Sequence, residues 1–223
     1  MKGGADWPEL IPAYGGYRKL ASFQMAEIVY DATVAFCNRF VDKRSRTHDQ
    51  MVQAARSGKQ NISEGCMVSG TSKKSELKLI GVARGSLEEL LQDYEDYLRQ
   101  HGMALWQKDS PAARTVRGLC YATDRSYQTY RTYVELASAE AAANTLICMI
   151  NQTNYLLDRQ LRALEKEFAE NGGFTERLYS VRSELRRNGR QQIAECGDCE
   201  LLGQGSRCCC GSGYLTPFAC SLF

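Results

Sequence analysis

The chain has 223 residues, enough for one sizeable domain with appendages. Its 28 Lys and Arg against 26 Asp and Glu leave a formal net charge of +2, which excludes a bulk polycation, so any nucleic-acid surface must be a local patch. Hydrophobic residues at 43% and charged residues at 24% suit a packed core rather than global disorder.

The opening MKGGADWPEL has no apolar signal core, and no run approaches the ~18 apolar residues that span a bilayer. The expectation is a soluble, cytoplasmic protein. Residues 1–16, ending Tyr14-Gly15-Gly16, read as a flexible arm. From Tyr17 to Val41 the apolar positions Leu20, Phe23, Ala26, Tyr30, Val34 and Cys37 recur every three or four residues, one face of an amphipathic helix. After the polar link Asp42-Lys43-Arg44-Ser45-Arg46, Thr47 and Gln50 have the spacing of a capping box. The second helix that follows carries Met51, Ala54, Ala55, Gly58 and Ile62 on one face and stops near Gly65.

Ser72 is the expected N-cap of a third helix with the stripe Leu77, Ile80, Arg84, Leu87, Leu91, Tyr94 and Leu98. Gly81 and Gly85 on it are expected to pack closely against the small face of helix two, with a functional kink as the alternative. Residues 103–137 form a less regular insertion, with a short helix opened by Pro111 and a tyrosine-rich piece after it. Ser138 caps the strongest helix, through Leu146, Leu157, Leu164 and Phe168 to Asn171-Gly172-Gly173, a good C-cap. A suffix helix follows over 174–190, and the Cys-rich segment 191–223 completes the chain. The fold class is thus all-α: a bundle of four long helices over 17–173, with additional short helices and an irregular tail.

The search for catalytic chemistry returns absences. The sequence contains no phosphate loop, no Gly-x-Gly-x-x-Gly and no Glu-x-x-His pair of the kind di-iron bundles need. Its two histidines, His48 and His101, stand far apart in sequence. We therefore expect no enzyme activity. The triplets Asn61-Ile62-Ser63 and Asn151-Gln152-Thr153 fall inside helices and are not read as glycosylation sites.

Charge is more informative by segment. Arg39 to Lys74 holds eight basic and three acidic residues; Glu76 to Asp96 holds six acidic and two basic. Such a dipolar pattern suits self-assembly through opposite faces, or a basic rim that meets phosphate. The candidate nucleic-acid contacts are Arg44, Arg46, Arg56, Lys59, Lys73 and Lys74. The alternative is a protein–protein scaffold in which the two faces meet each other or a partner, without nucleic-acid binding.

Several strings carry a resemblance: Gln53-Ala54-Ala55-Arg56-Ser57, Asn61-Ile62-Ser63-Glu64-Gly65, Lys73-Lys74-Ser75-Glu76-Leu77 and Ala83-Arg84-Gly85-Ser86-Leu87-Glu88-Glu89-Leu90. With Tyr17-Arg18-Lys19-Leu20 ahead of them, they resemble a four-helix-bundle family. It includes proteins encoded in intervening sequences of bacterial large-subunit ribosomal RNA genes and the accessory variability determinants of diversity-generating retroelements. The runs Asp42 to Met51 and Asn154 to Leu161 are similar to the bacterial group named for a "four helix bundle suffix domain". The resemblance implies an antiparallel up-down four-helix bundle that forms a homo-oligomer, a pentamer in the retroelement relatives, binds RNA or DNA and partners a reverse transcriptase or another nucleic-acid enzyme.

In the tail, Cys196-Gly197-Asp198-Cys199 has the spacing of a zinc knuckle, with Cys210 and Cys220 as the second pair of thiolates. A degenerate zinc ribbon holding Zn, a disordered appendage and structural disulfides all remain open for this segment. The body cysteines Cys37, Cys66, Cys120 and Cys148 lie on helical stretches and are read as small core residues.

Overall fold

The computed structural model describes residue 11, residues 14–121 and residues 126–201, with side chains as far as residue 188. Among the described residues every regular element is a helix. These are α1 (Ala21–Phe40), α2 (Arg46–Val68), α3 (Lys73–Gln100), α4 (Pro111–Gly118), α5 (Tyr127–Glu135), α6 (Ala139–Asn171) and α7 (Phe174–Leu201), with single 3₁₀ turns at Tyr17–Lys19 and Leu119–Tyr121. No helix is long and apolar enough to cross a membrane among the described residues. The chain divides into a unit of residues 9–175 and a second that includes α7 from Glu176 on.

Local chemistry sets the helix ends. Ser72 accepts from the Ser75 amide and Ser138 from the Ala141 amide, each satisfying an amide of the first turn. Ser110 does the same for Ala113, with Pro111 at the first helical position. At the other end of α6, Gly172 turns out with φ 62° and its amide caps the Phe168 carbonyl. Helix α2 departs from expectation: it starts at Arg46, and Ser45 is the cap, accepting from the Thr47 amide at 3.2 Å. Thr47 is already inside the helix, so the expected Thr47/Gln50 capping box does not form.

Four long helices bury the core of the first unit. Val29 and Phe36 of α1, Met51 and Ile62 of α2, Leu87 and Tyr94 of α3, and Leu146 and Met149 of α6 are all inaccessible to solvent. Helix α1 packs on α2, α2 on α3, α3 on α6 and α6 on α1. In two of these pairings the contacts show residue numbers running in opposite senses. Lys73 of α3 meets Glu167 of α6 while Arg84 meets Asp158. Gly65 of α2 meets Ile80 of α3 while Gly58 meets Leu87. The shorter helices dress this core: α4 lies on α6, and α5 lies on α1 and α6. Arg39 of α1 donates to the carbonyls of Val134 and Ala137, fastening the end of α5.

The glycines reverse an expectation. Gly81 and Gly85 of α3 are exposed, and a Cβ at either would meet nothing within 4 Å. The close approach comes from α2, where a Cβ at Gly58 would lie 2.8 Å from Cγ and Cδ2 of Leu87. Nor is the described part of the 1–16 segment loose against α2. Ile11 and Tyr14 cover Gly70, and the Cys66 thiol donates to the Gly15 carbonyl at 3.1 Å.

Helix α7 runs to Leu201, past the expected boundary at 190. A change of composition is not a helix stop, and one interior glycine such as Gly189 costs only about 1 kcal/mol. Cys196 and Cys199 therefore belong to a helical backbone. Their side chains, with Cys210 and Cys220, lie outside the described residues.

Candidate nucleic-acid interface

The structure spreads the six basic residues of the sequence reading along helix α2 and its two flanks. Arg44 and Arg46 stand where α2 begins, Arg56 and Lys59 in its middle, and Lys73 and Lys74 beyond its end. A helix of this length spans ~34 Å at 1.5 Å per residue, so they form a line rather than a cluster. Arg44, Arg46, Arg56 and Lys74 are exposed, and none has an ion pair among the described residues.

The other two are engaged. Lys59 holds its ammonium 4.5 Å above the ring of Tyr30, a cation–π contact. Lys73 is 3.2 Å from both Glu76 and Glu167, with its side chain only 14% exposed. The two carboxylates hold the Lys73 ammonium above its ordinary range despite burial. At Glu76 burial outweighs the lysine, and its carboxyl is pushed up. Lys73 thus fastens α3 to α6 and has little charge to offer a phosphate.

A second basic surface, absent from the sequence reading, lies where the 103–137 insertion meets α6. Ala113 and Val116 bury one side of α4. Arg114 and Arg117, three residues apart, turn toward a groove of about 1120 Å³ whose far wall is Asn151, Gln152, Tyr155 and Arg159 of α6. Trp106, Lys108 and Tyr121 also line it.

Two amide side chains hold this wall in place. Asn144 of α6, 1% exposed, accepts from the Trp106 amide at 2.7 Å and donates to the Ala104 carbonyl at 2.8 Å and to Glu140. Gln152 donates to the Arg117 carbonyl at 3.0 Å, while its buried Oε1 has no partner among the described residues. The Cys148 thiol beside the groove is pushed up by burial, and the positive charge of Arg117 opposes that rise. The helical spacing of Arg114 with Arg117, and of Tyr155 with Arg159, was a readable signal. That these pairs face one another was not.

The body cysteines are free thiols: Cys37 and Cys66 are buried, and Cys120 and Cys148 half-buried. Burial, and then the charge of Asp93, push the Cys37 thiol up to about 12. Among the described residues no group of three or more His, Cys, Asp or Glu is placed to hold a metal ion. The acidic residues of α3 divide between exposed and paired positions. Glu89, Glu95 and Asp96 are exposed, whereas Glu88 sits 2.7 Å from Arg84, which also reaches Asp158 at 3.2 Å.

Comparison of the chain with family models, with curated proteins and with solved structures finds no match in any of the three.

Proposed function

We propose that the chain is a non-enzymatic, antiparallel up-down four-helix bundle that self-associates and binds nucleic acid through phosphate contacts along α2. The closed cycle of pairings between α1, α2, α3 and α6, with opposed residue numbering where α2 meets α3 and α3 meets α6, supports the bundle. One observation carries the binding reading: Arg44, Arg46, Arg56 and Lys74 are exposed cations without ion pairs among the described residues. Such guanidinium and ammonium groups gain by displacing counterions from a phosphate backbone. The exposed acids Glu89 and Glu95 of α3 offer a second copy charge of opposite sign.

A labelled duplex titrated with the protein tests this. Four phosphate contacts imply a log–log salt slope of about −3.6, hence a ~150-fold loss of affinity between 50 and 200 mM salt. Charge reversal at Arg44, Arg46, Arg56 and Lys74 should abolish binding. Binding that ignores both salt and charge reversal refutes the proposal. Oligomers in light scattering without nucleic-acid affinity would favour the scaffold alternative instead.

A further inference from the structure

We propose that the groove between α4 and α6 is a binding site for single-stranded RNA or DNA. The inference rests on the nucleic-acid reading above and assigns the single-stranded ligand to a different surface. Four cations line the groove: Lys108, Arg114, Arg117 and Arg159. Glu95 is the carboxylate that lines it. Among the described residues Arg117, Arg159 and Lys108 have no ion pair, and Arg114 has only Asp109 at 4.0 Å. The charge therefore fits a polyanion.

The aromatic side chains select the kind of polyanion. Trp106, Tyr121 and Tyr155 interleave with the cations, and Tyr121 and Tyr155 are 86% and 61% exposed. Leaving large aromatic faces in water beside guanidinium groups is unfavourable for a merely solvated surface. It is what a stacking platform for unpaired bases requires. In a duplex those base faces are already stacked on each other, and its broad convex backbone does not enter a groove walled by two helices. The exposed amide of Asn151 stands at the same wall, where its carbonyl oxygen is open to a donor. Base edges carry amino and imino donors of that kind. The groove's volume of about 1120 Å³ lies at the upper end of small-ligand pockets, enough for more than one nucleotide-sized group.

The site is also held rigid. Asn144 pins the backbone at Ala104 and Trp106 to α6, and Gln152 pins the Arg117 carbonyl. The wall does not have to order itself on binding, which removes an entropic penalty.

The test uses the full chain and three probes in fluorescence anisotropy: labelled oligo-U, oligo-dT and a duplex of equal length. Tyr155→Ala should weaken both single strands by ~5-fold or more and leave the duplex unchanged, the loss expected for one stacked base. The double variant Arg114→Gln, Arg159→Gln should lower the single-strand salt slope by ~1.4, since each lost contact on a single strand removes about 0.7. Both arginines and Tyr155 are exposed, and melting curves matching the parent exclude a folding defect.

Unlabelled poly-glutamate at equal charge should not displace oligo-U; equal displacement overturns the base-stacking argument in favour of an acidic peptide. Single strands that bind these variants as tightly as the parent overturn the groove site, whereas the duplex result judges the α2 reading separately. Single-strand binding lost in the groove variants, with no duplex binding at all, would keep the groove and discard α2.

Discussion

Replacing Gly85 by alanine should make the protein more stable, and replacing Gly58 by alanine should make it less so, although both glycines lie inside long helices. Glycine in a helix interior is about 0.8–1 kcal/mol worse than alanine, because its unfolded chain has more conformations to lose. At Gly85 and Gly81 a methyl group would meet nothing within 4 Å, so that gain is uncompensated. The Gly81→Ala, Gly85→Ala double variant should gain about 1.5–2 kcal/mol. A chain of this size shifts its midpoint by ~2–4 °C per kcal/mol, so the melting temperature should rise by ~3–8 °C.

At Gly58 the same methyl would sit 2.8 Å from Cγ and Cδ2 of Leu87, which is fully buried. Overpacking of that kind costs about 1–3 kcal/mol, so after the helix gain Gly58→Ala should lose about 1 kcal/mol net. Urea unfolding followed by helical circular dichroism measures all three variants. A destabilised Gly85→Ala would refute the reasoning, because it would mean that this face of α3 is covered in solution. Repeating the melt across a range of protein concentrations would show whether a second copy covers it.

Two further perturbations probe the fastenings. Lys73→Met leaves the buried Glu76 carboxylate without its nearest cation and should cost about 3 kcal/mol at neutral pH. Because burial already raises the Glu76 carboxyl in the fold, the penalty belongs to its ionised form. The deficit should therefore be small at the ordinary carboxyl range near ~4.3 and grow as pH rises above it, through the raised Glu76 value; a deficit independent of pH would contradict this. Asn144→Ala deprives the Trp106 amide of its acceptor and should cost about 1–3 kcal/mol. It should also speed proteolysis within 103–110, and an unchanged rate would show that this segment does not depend on Asn144.

The two basic surfaces differ in how they could be read from the chain. The α2 line falls within 31 consecutive positions, Arg44 to Lys74, and a running charge count finds it. What such a count misses is neutralisation across the fold: Glu167, which meets Lys73, is 94 residues further on. Helix boundaries were legible wherever one side chain decides the end, as at Ser72, Ser138 and Gly172. They were misjudged where neighbouring residues compete for the cap, as Ser45 does with Thr47. Gly81 and Gly85 misled for a related reason. Periodicity places small residues on a helix, but only packing tells which of two facing helices supplies the space, and here Gly58 and Gly65 supply it.

The groove is the limiting case. Trp106, Arg114, Arg117 and Tyr121 come from an insertion of which only the short helix opened by Pro111 is legible in the sequence, while Tyr155 and Arg159 sit on the outer side of a helix chosen for its inner stripe. Joining them takes the hydrogen bonds of Asn144 and Gln152, which span 38 and 35 residues and look like ordinary polar residues of a helix. A surface built by an insertion against a conventional helical core is also where function can vary without disturbing the core, since Arg114, Tyr155 and Arg159 contribute little to burial. Substitutions there should alter what the protein binds before they alter whether it folds.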